Sequence, residues 1–315
     1  MSTNDDRPKD QQPKKKPGEV ETTGHVWDSS LEEYNNPLPR WWLWGFYATV
    51  VFAVVYWILF PAWPIGAGFT KGINTITFEQ DGEEVTTHWN TRSLLARDMQ
   101  TGTHAVRQRE MLETVGAMEY DEILADVDAM SFVNAYAKGS YGTWCAACHQ
   151  TGGAGVMGQY PNLRDDNWHW GGTVEQIEET LTLGRLGYMP GYRETLNSEQ
   201  LEQVASYVLS LNGFEMDEQA VSAGADIFTG ELGGCFQCHG MDAGGLPSQG
   251  APNLTNNLWG LVDVTGAADD AERVARVASF VHDGVQRVMP AFADRLSPTE
   301  IKVLTAYVHS LGGGQ

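Results

Sequence analysis

The chain has 315 residues, enough for two or three small units, each with its own core. Twenty Lys and Arg face forty-one Asp and Glu, a formal charge of -21 that repels nucleic acid and attracts basic partners. The four cysteines all sit in two Cys-x-x-Cys pairs, which leaves none for the separated bridges of a disulfide-stapled fold.

Residues 1-40 carry six basic and eight acidic side chains, so nearly all the excess acid lies beyond residue 40. This opening stretch is rich in Pro, Lys, Asp and Gln and is predicted to be disordered. His25, beside Trp27, reads as a solvated side chain.

From Trp41 to Thr70 there is no charged residue. The run WWLWGFYATVVFAVVYWILF at 41-60 has the length needed to cross a bilayer as a helix. Trp41, Trp42 and Trp44 at its start and Trp57 and Trp63 at its end form an aromatic belt, and Pro61 and Pro64 stop the helix. A cleaved signal peptide fits less well, because the apolar run is too long and lacks a small-x-small cleavage site. The predicted span is 41-62. Lys14, Lys15, Lys16 and Arg40 precede it, whereas Lys71 alone follows soon after, so the expectation is a cytoplasmic 1-40 and an external remainder.

Residues 63-128 read as a connector. Thr, Val and Phe alternate with polar groups around Asp81-Gly82, which predicts a hairpin within 73-90. Residues 92-128 have an amphipathic helical pattern.

The remainder is a repeat, divided here as 129-213 and 214-315. The first copy has CAACH at 145-149, PNL at 161-163, YMP at 188-190 and LNSEQLEQVASYVLSLNG at 196-213. The second has CFQCH at 235-239, PNL at 252-254, VMP at 288-290 and LSPTEIKVLTAYVHSLGG at 296-313. The offset is 90 at the cysteines and 100 from the methionines onward, which places about ten extra residues around 263-272. Phe132, Ala135, Tyr136 and Gly139 predict a helix before the first motif, as do Val221, Gly224, Ala225 and Phe228 before the second. Thr173 with Gln176, and Ser297 with Pro298 and Glu300, predict helix starts. Each copy is therefore a small helical unit with long Gly-rich loops, best stabilised by a large apolar cofactor in its core.

Cys-x-x-Cys-His is the attachment signature of c-type haem. Two thiols one helical turn apart suit the two vinyl groups of a porphyrin, and the following His suits the iron. Cys145, Cys148, Cys235 and Cys238 are thus the predicted thioether residues, with His149 and His239 as proximal ligands. A zinc site would need the two pairs to converge, although they lie 90 residues apart in separate copies. A thioredoxin-like dithiol needs neither the His nor a repeated methionine.

Met189 and Met289 are the candidate sixth ligands, because they occupy equal places in both copies, while Met157 and Met241 have no counterpart. His169 and His282 are the alternatives for bis-His ligation. Local pairing of each Met with its own motif is the simplest arrangement, and exchange between two apposed domains is the other. The loops at Pro161 and Pro252 are expected to bring a backbone carbonyl to each proximal imidazole.

The run TTGHVWDSSLEEYNNPLPRWW at 22-42, the single span and the two modules with YMP and VMP together resemble subunit III, the dihaem subunit, of cbb3-type cytochrome c oxidases (the CcoP/FixP family). The resemblance covers nearly the whole chain. It implies a mainly α protein, with one N-terminal transmembrane helix followed by two tandem all-α cytochrome c domains and two haem c groups. It implies an electron-transfer subunit that is not itself the oxygen-reducing one. Its expected partners are a basic cytochrome c donor, a second membrane-anchored cytochrome c subunit, the haem-copper catalytic subunit and membrane lipid. Its expected location is the bacterial inner membrane, with the haem domains in the periplasm. Two rivals remain from other classes. One is a free-standing anchored dihaem shuttle, and the other is a dihaem peroxidase, which needs one iron with an open site.

Overall fold

The computed structural model describes residues 21-312; Lys14, Lys15, Lys16 and the rest of the opening stretch lie outside the described residues. The chain divides into two compact units, residues 1-105 and 106-315.

In the first unit, β1 (Thr22–Trp27) and β2 (Leu31–Tyr34) pair antiparallel across a turn in which Asp28 and Ser29 take φ of 45° and 71°. Helix α1 (Arg40–Leu59) follows, and none of its residues is buried. Twenty residues at about 1.5 Å each reach about 30 Å, the thickness of a hydrocarbon core. An apolar helix with no packed face is stable when lipid takes the place of a core. Among the described residues α1 is the one helix long and apolar enough to cross a membrane.

After Pro61 come β3 (Pro64–Ile65) and β4 (Gly68–Phe69), a minimal hairpin. The hairpin expected at 73-90 is β5 (Thr75–Gln80) with β6 (Glu83–His88), turning at Asp81-Gly82. Asn90 accepts from the Ser93 amide at 2.9 Å and opens α2 (Thr91–Thr101), which packs on β5.

The second unit is helical. Its entry elements are α3 (Thr103–Gly116), α4 (Tyr120–Ala125) and α5 (Val127–Trp144). The first motif lies on α6 (Ala146–His149) and is followed by α7 (Val174–Leu183), β7 (Arg185–Met189) and α8 (Ser198–Ser210). The second copy repeats this order as α9 (Glu218–Thr229), α10 (Phe236–His239), α11 (Asp270–Asp283), β8 (Val285–Met289) and α12 (Pro298–His309). The capping boxes at Thr173 and Ser297 form as the sequence predicts. Part of the extra length of the second copy is one added turn at the start of α11, and the rest lies in the loop before it.

The helices do not pack in sequence order. α12 lies on α5 and α7, whereas α8 lies on α9 and α11. Each final helix therefore closes the unit opened by the other copy. The first core holds Val133, Ala137, Tyr141 and Cys145 with Leu296, Ile301, Leu304 and Val308. The second side holds Leu201, Val204 and Leu209 with Ile227, Val277 and Val281 in one cluster, and Val208 with Phe228 and Cys235 in an adjoining one. At the α8–α9 crossing Gly224 has no room for a side chain, because a Cβ there would run into the Gln203 carbonyl.

The crossing itself is made by β7 and β8. The sequence places each methionine at the end of a loop, and the structure pairs these segments as one antiparallel ribbon. Its register sets Arg185 against Met289, Gly187 against Arg287 and Met189 against Val285. The pairing joins segments 100 residues apart, so no local pattern announces it. Each strand leaves its helix at a glycine, Gly184 (φ 70°) or Gly284 (φ 68°), where a Cβ would lie 2.5 Å from the carbonyl of Met289 or Met189, respectively. Two matching main-chain bonds lock the crossing, Phe292 N–H to Leu181 O at 2.9 Å and Tyr192 N–H to Val281 O at 3.1 Å.

Candidate haem sites

Both motifs fold the same way. In each, the amides of the second Cys and the His turn back on the carbonyl of the first Cys, at 3.1 and 2.9 Å in one copy and 3.2 and 2.9 Å in the other. One helical turn thus presents two thiols and an imidazole on the same side. His149 Nδ1 lies 3.0 Å from the Pro161 carbonyl and His239 Nδ1 lies 3.1 Å from the Pro252 carbonyl. An imidazole bound this way donates from Nδ1 and keeps Nε2 as the lone-pair nitrogen, the form a metal takes. Burial lowers the pKa of both histidines, with the Pro carbonyls working against it.

The cysteines are free, with Cys145 and Cys235 buried and Cys238 exposed. Burial pushes the Cys145 thiol up to about 11, with Cys148 adding to the rise, and burial raises Cys235 as well. A redox dithiol depends on a depressed thiol pKa, so these pairs do not suit that role. Among the described residues, no three His, Cys, Asp or Glu side chains converge as a metal cluster would require.

A cavity of about 860 Å³ contains both motifs, both methionines and both Pro loops along its wall. Met289 packs against the core that holds Cys145, whereas Met189 packs against the Leu201, Val204 and Val277 cluster, from which Tyr192 and Trp259 bridge to the Cys235 cluster. Met289 is thus packed on the core of the first motif, and Met189 on the cluster adjoining that of the second. Met157 and Met241 are exposed. His282 is also exposed, bonds Asp283 at 2.8 Å and does not line the cavity. His169 does line it, and burial lowers its pKa, against Asp165 and reinforced by His239.

A porphyrin fits these walls. The cavity face is mostly apolar, and Trp168 and Trp259, which line it, have buried indole N–H groups with no partner in the protein. The two tryptophans follow PNL at the same distance in each copy, and a carboxylate edge of a haem would supply the acceptor they lack. Their repetition within the matched segments is the signal that the sequence holds for them.

Known proteins carry the same pattern. The family model for the N-terminal domain of cytochrome oxidase-cbb3, FixP, matches residues 19-67. The model for cytochrome c oxidase, cbb3-type, subunit III, matches residues 135-208 and again 219-308. The cbb3-type cytochrome c oxidase subunit FixP of Azorhizobium caulinodans is 37% identical over 95% of this chain and 95% of its own length. The subunit CcoP of Cereibacter sphaeroides is 37% identical over 96% of this chain and 98% of its own, and a FixP of Bradyrhizobium is 38% identical over 93% and 95%. An anchor helix, a repeated cytochrome c module and near full-length similarity agree, and the chain belongs to the FixP/CcoP family, subunit III of the cbb3-type cytochrome c oxidases.

Proposed function

We propose that this chain binds two haem c groups and relays electrons from a cytochrome c donor toward the haem-copper core of a cbb3-type oxidase. A haem c bound at each motif supplies reversible one-electron iron chemistry. Cys145 and Cys148 hold one group and Cys235 and Cys238 the other. His149 with Met289 would hold the iron of one group, and His239 with Met189 that of the other. The observation that carries this reading is the ribbon, which sets Met289 in the core of Cys145 and Met189 beside that of Cys235.

Each part of the chain has a task in that relay. The Pro161 and Pro252 carbonyls orient the two imidazoles. With a haem at each motif, the two methionines would supply the second iron ligand at each, an arrangement that suits electron transfer better than peroxide chemistry. The acid excess beyond residue 40 suits a basic donor and raises its encounter rate at low salt. α1 fixes the relay to the inner membrane, with the N-terminus cytoplasmic and the helical unit periplasmic, following the basic residues before the span. The onward partners are a second membrane-anchored cytochrome c subunit and the haem-copper catalytic subunit.

Native purification with a haem stain and a subunit census tests this. The expected outcome is two covalent haems per chain, co-purifying with a haem-copper core. Purification of the chain by itself would favour a free-standing shuttle. Substantial carbon monoxide binding by the reduced chain would refute six-coordination at both sites.

A further inference from the structure

The inward face of the β7–β8 ribbon carries Arg185, Gly187 and Met189 on one strand and Val285, Arg287 and Met289 on the other. Gly187 stands opposite Arg287, so the central rung has a single side chain. Arg287 is two residues from Met289 along its own strand and two rungs from Met189 across the ladder. At about 3.3 Å per residue, each methionine lies about 7 Å away along the ribbon.

The two cations on this face differ in their partners. Arg185 is neutralised by Glu179 at 2.9 Å, bonds Thr180 and lies over the Trp170 ring at 5.0 Å. Arg287 has no carboxylate partner among the described residues. Its Nη1 donates to the Gln159 carbonyl at 2.7 Å and its Nη2 to the Gly158 carbonyl. That turn is itself fixed, since Gly158 N–H donates to the Gly260 carbonyl of the other copy at 2.9 Å. Its Nε is buried without an acceptor, and Arg287 lines the cavity.

We propose that Arg287 is a positioning residue shared by both redox sites, a fixed positive charge at the centre of the ribbon that favours the reduced state at each. The inference rests on the haem reading above. A cation midway between two one-electron sites opposes the extra positive charge of either oxidised iron, and no carboxylate side chain among the described residues pairs with it. Its position on the rung between the methionines makes the effect common to both. Loss of the charge lowers both midpoint potentials, whereas loss of the anchor alone does not.

The test is a redox titration of the full haem-loaded chain in detergent, with haem content and thermal melting measured for each variant. Arg287→Gln is expected to lower both midpoints, each by about tenfold in the reduced-to-oxidised ratio, ~59 mV for one electron. Arg287→Lys keeps the charge and is expected to hold both within about threefold of wild type. Equal losses in the two variants would reassign Arg287 to structure. A shift confined to one midpoint, or none in either, would also overturn the inference while leaving the haem reading intact. Fewer than two haems in the wild-type chain would overturn that reading and this inference with it.

Discussion

Tyr307 packs against Tyr141, with ring centroids 5.5 Å apart and planes at 63°. Tyr141 stands four residues before Cys145 in the first copy, whereas Tyr307 belongs to the last helix of the second. The partner arrangement is Tyr207 against Phe228, at 5.2 Å. Positions 207 and 307 match in the repeat, so the two pairs are the same contact made twice, each time across copies. Such pairs add about 0.5–1.5 kcal/mol beyond the area they bury. They join the helix before each motif to the helix that closes its pocket.

The crossing predicts which half of the unit each aromatic supports. Tyr307→Ala is expected to destabilise by about 3 kcal/mol and to loosen α5 with α12. Tyr207→Ala is expected to do the same to α8 and α9. Hydrogen exchange resolved by segment checks this, and loosening of α5 by the Tyr207 variant would contradict the crossed packing.

Ligation is predicted to follow the packing. With Cys145 and Cys148 replaced by Ala, one haem remains, at Cys235 and Cys238. Met189→His is then expected to lower its midpoint potential, because imidazole favours ferrous iron less than a thioether does. Met289→His is expected to leave it unchanged. The reverse pattern in a redox titration would restore local pairing.

Gly184 and Gly284 are predicted to resist substitution. Both have positive φ, and both have the backbone of the other strand where a Cβ would stand. Alanine at either position is expected to cost about 1–3 kcal/mol from the backbone conformation, with further loss from the collision. Thermal melting measures the cost, and a neutral variant would show that the two strands do not cross so closely.

Glu300 predicts an acid limit on the first pocket. It caps α12 and accepts from the Tyr136 hydroxyl on α5 at 3.1 Å. Burial alone raises its pKa, but the Ser297 amide and hydroxyl and the Tyr136 hydroxyl outweigh it and hold the carboxyl below its ordinary 4.5. Tyr136 is correspondingly pushed up to about 12, by burial first and then by the Glu300 charge. A depressed carboxyl contributes stability that is complete above its unfolded pKa and lost as pH falls through the folded one. Wild type is therefore expected to lose more stability than Glu300→Gln on acidification below pH 4.5. Parallel melting curves of the two proteins across that range would refute the coupling.

Much of this was legible in the sequence. The span needed only composition and length, because lipid imposes its demand residue by residue. The haem motifs needed only spacing, since two thiols and an imidazole one turn apart are placed by the helix itself. Helix starts at Thr173 and Ser297 were equally local, and so was the Asp81-Gly82 turn. The repeat at offset 100 showed that Met189 and Met289 are equivalent, yet equivalence is silent on exchange. Two copies with interchangeable final helices bury the same faces in either arrangement, so periodicity is identical for local and crossed packing. Tertiary structure decided between them through the β7–β8 pairing, a ladder between segments far apart in the chain. That same ladder set Arg287 opposite Gly187 and placed its charge between the methionines, a position that no reading of either strand by itself contains.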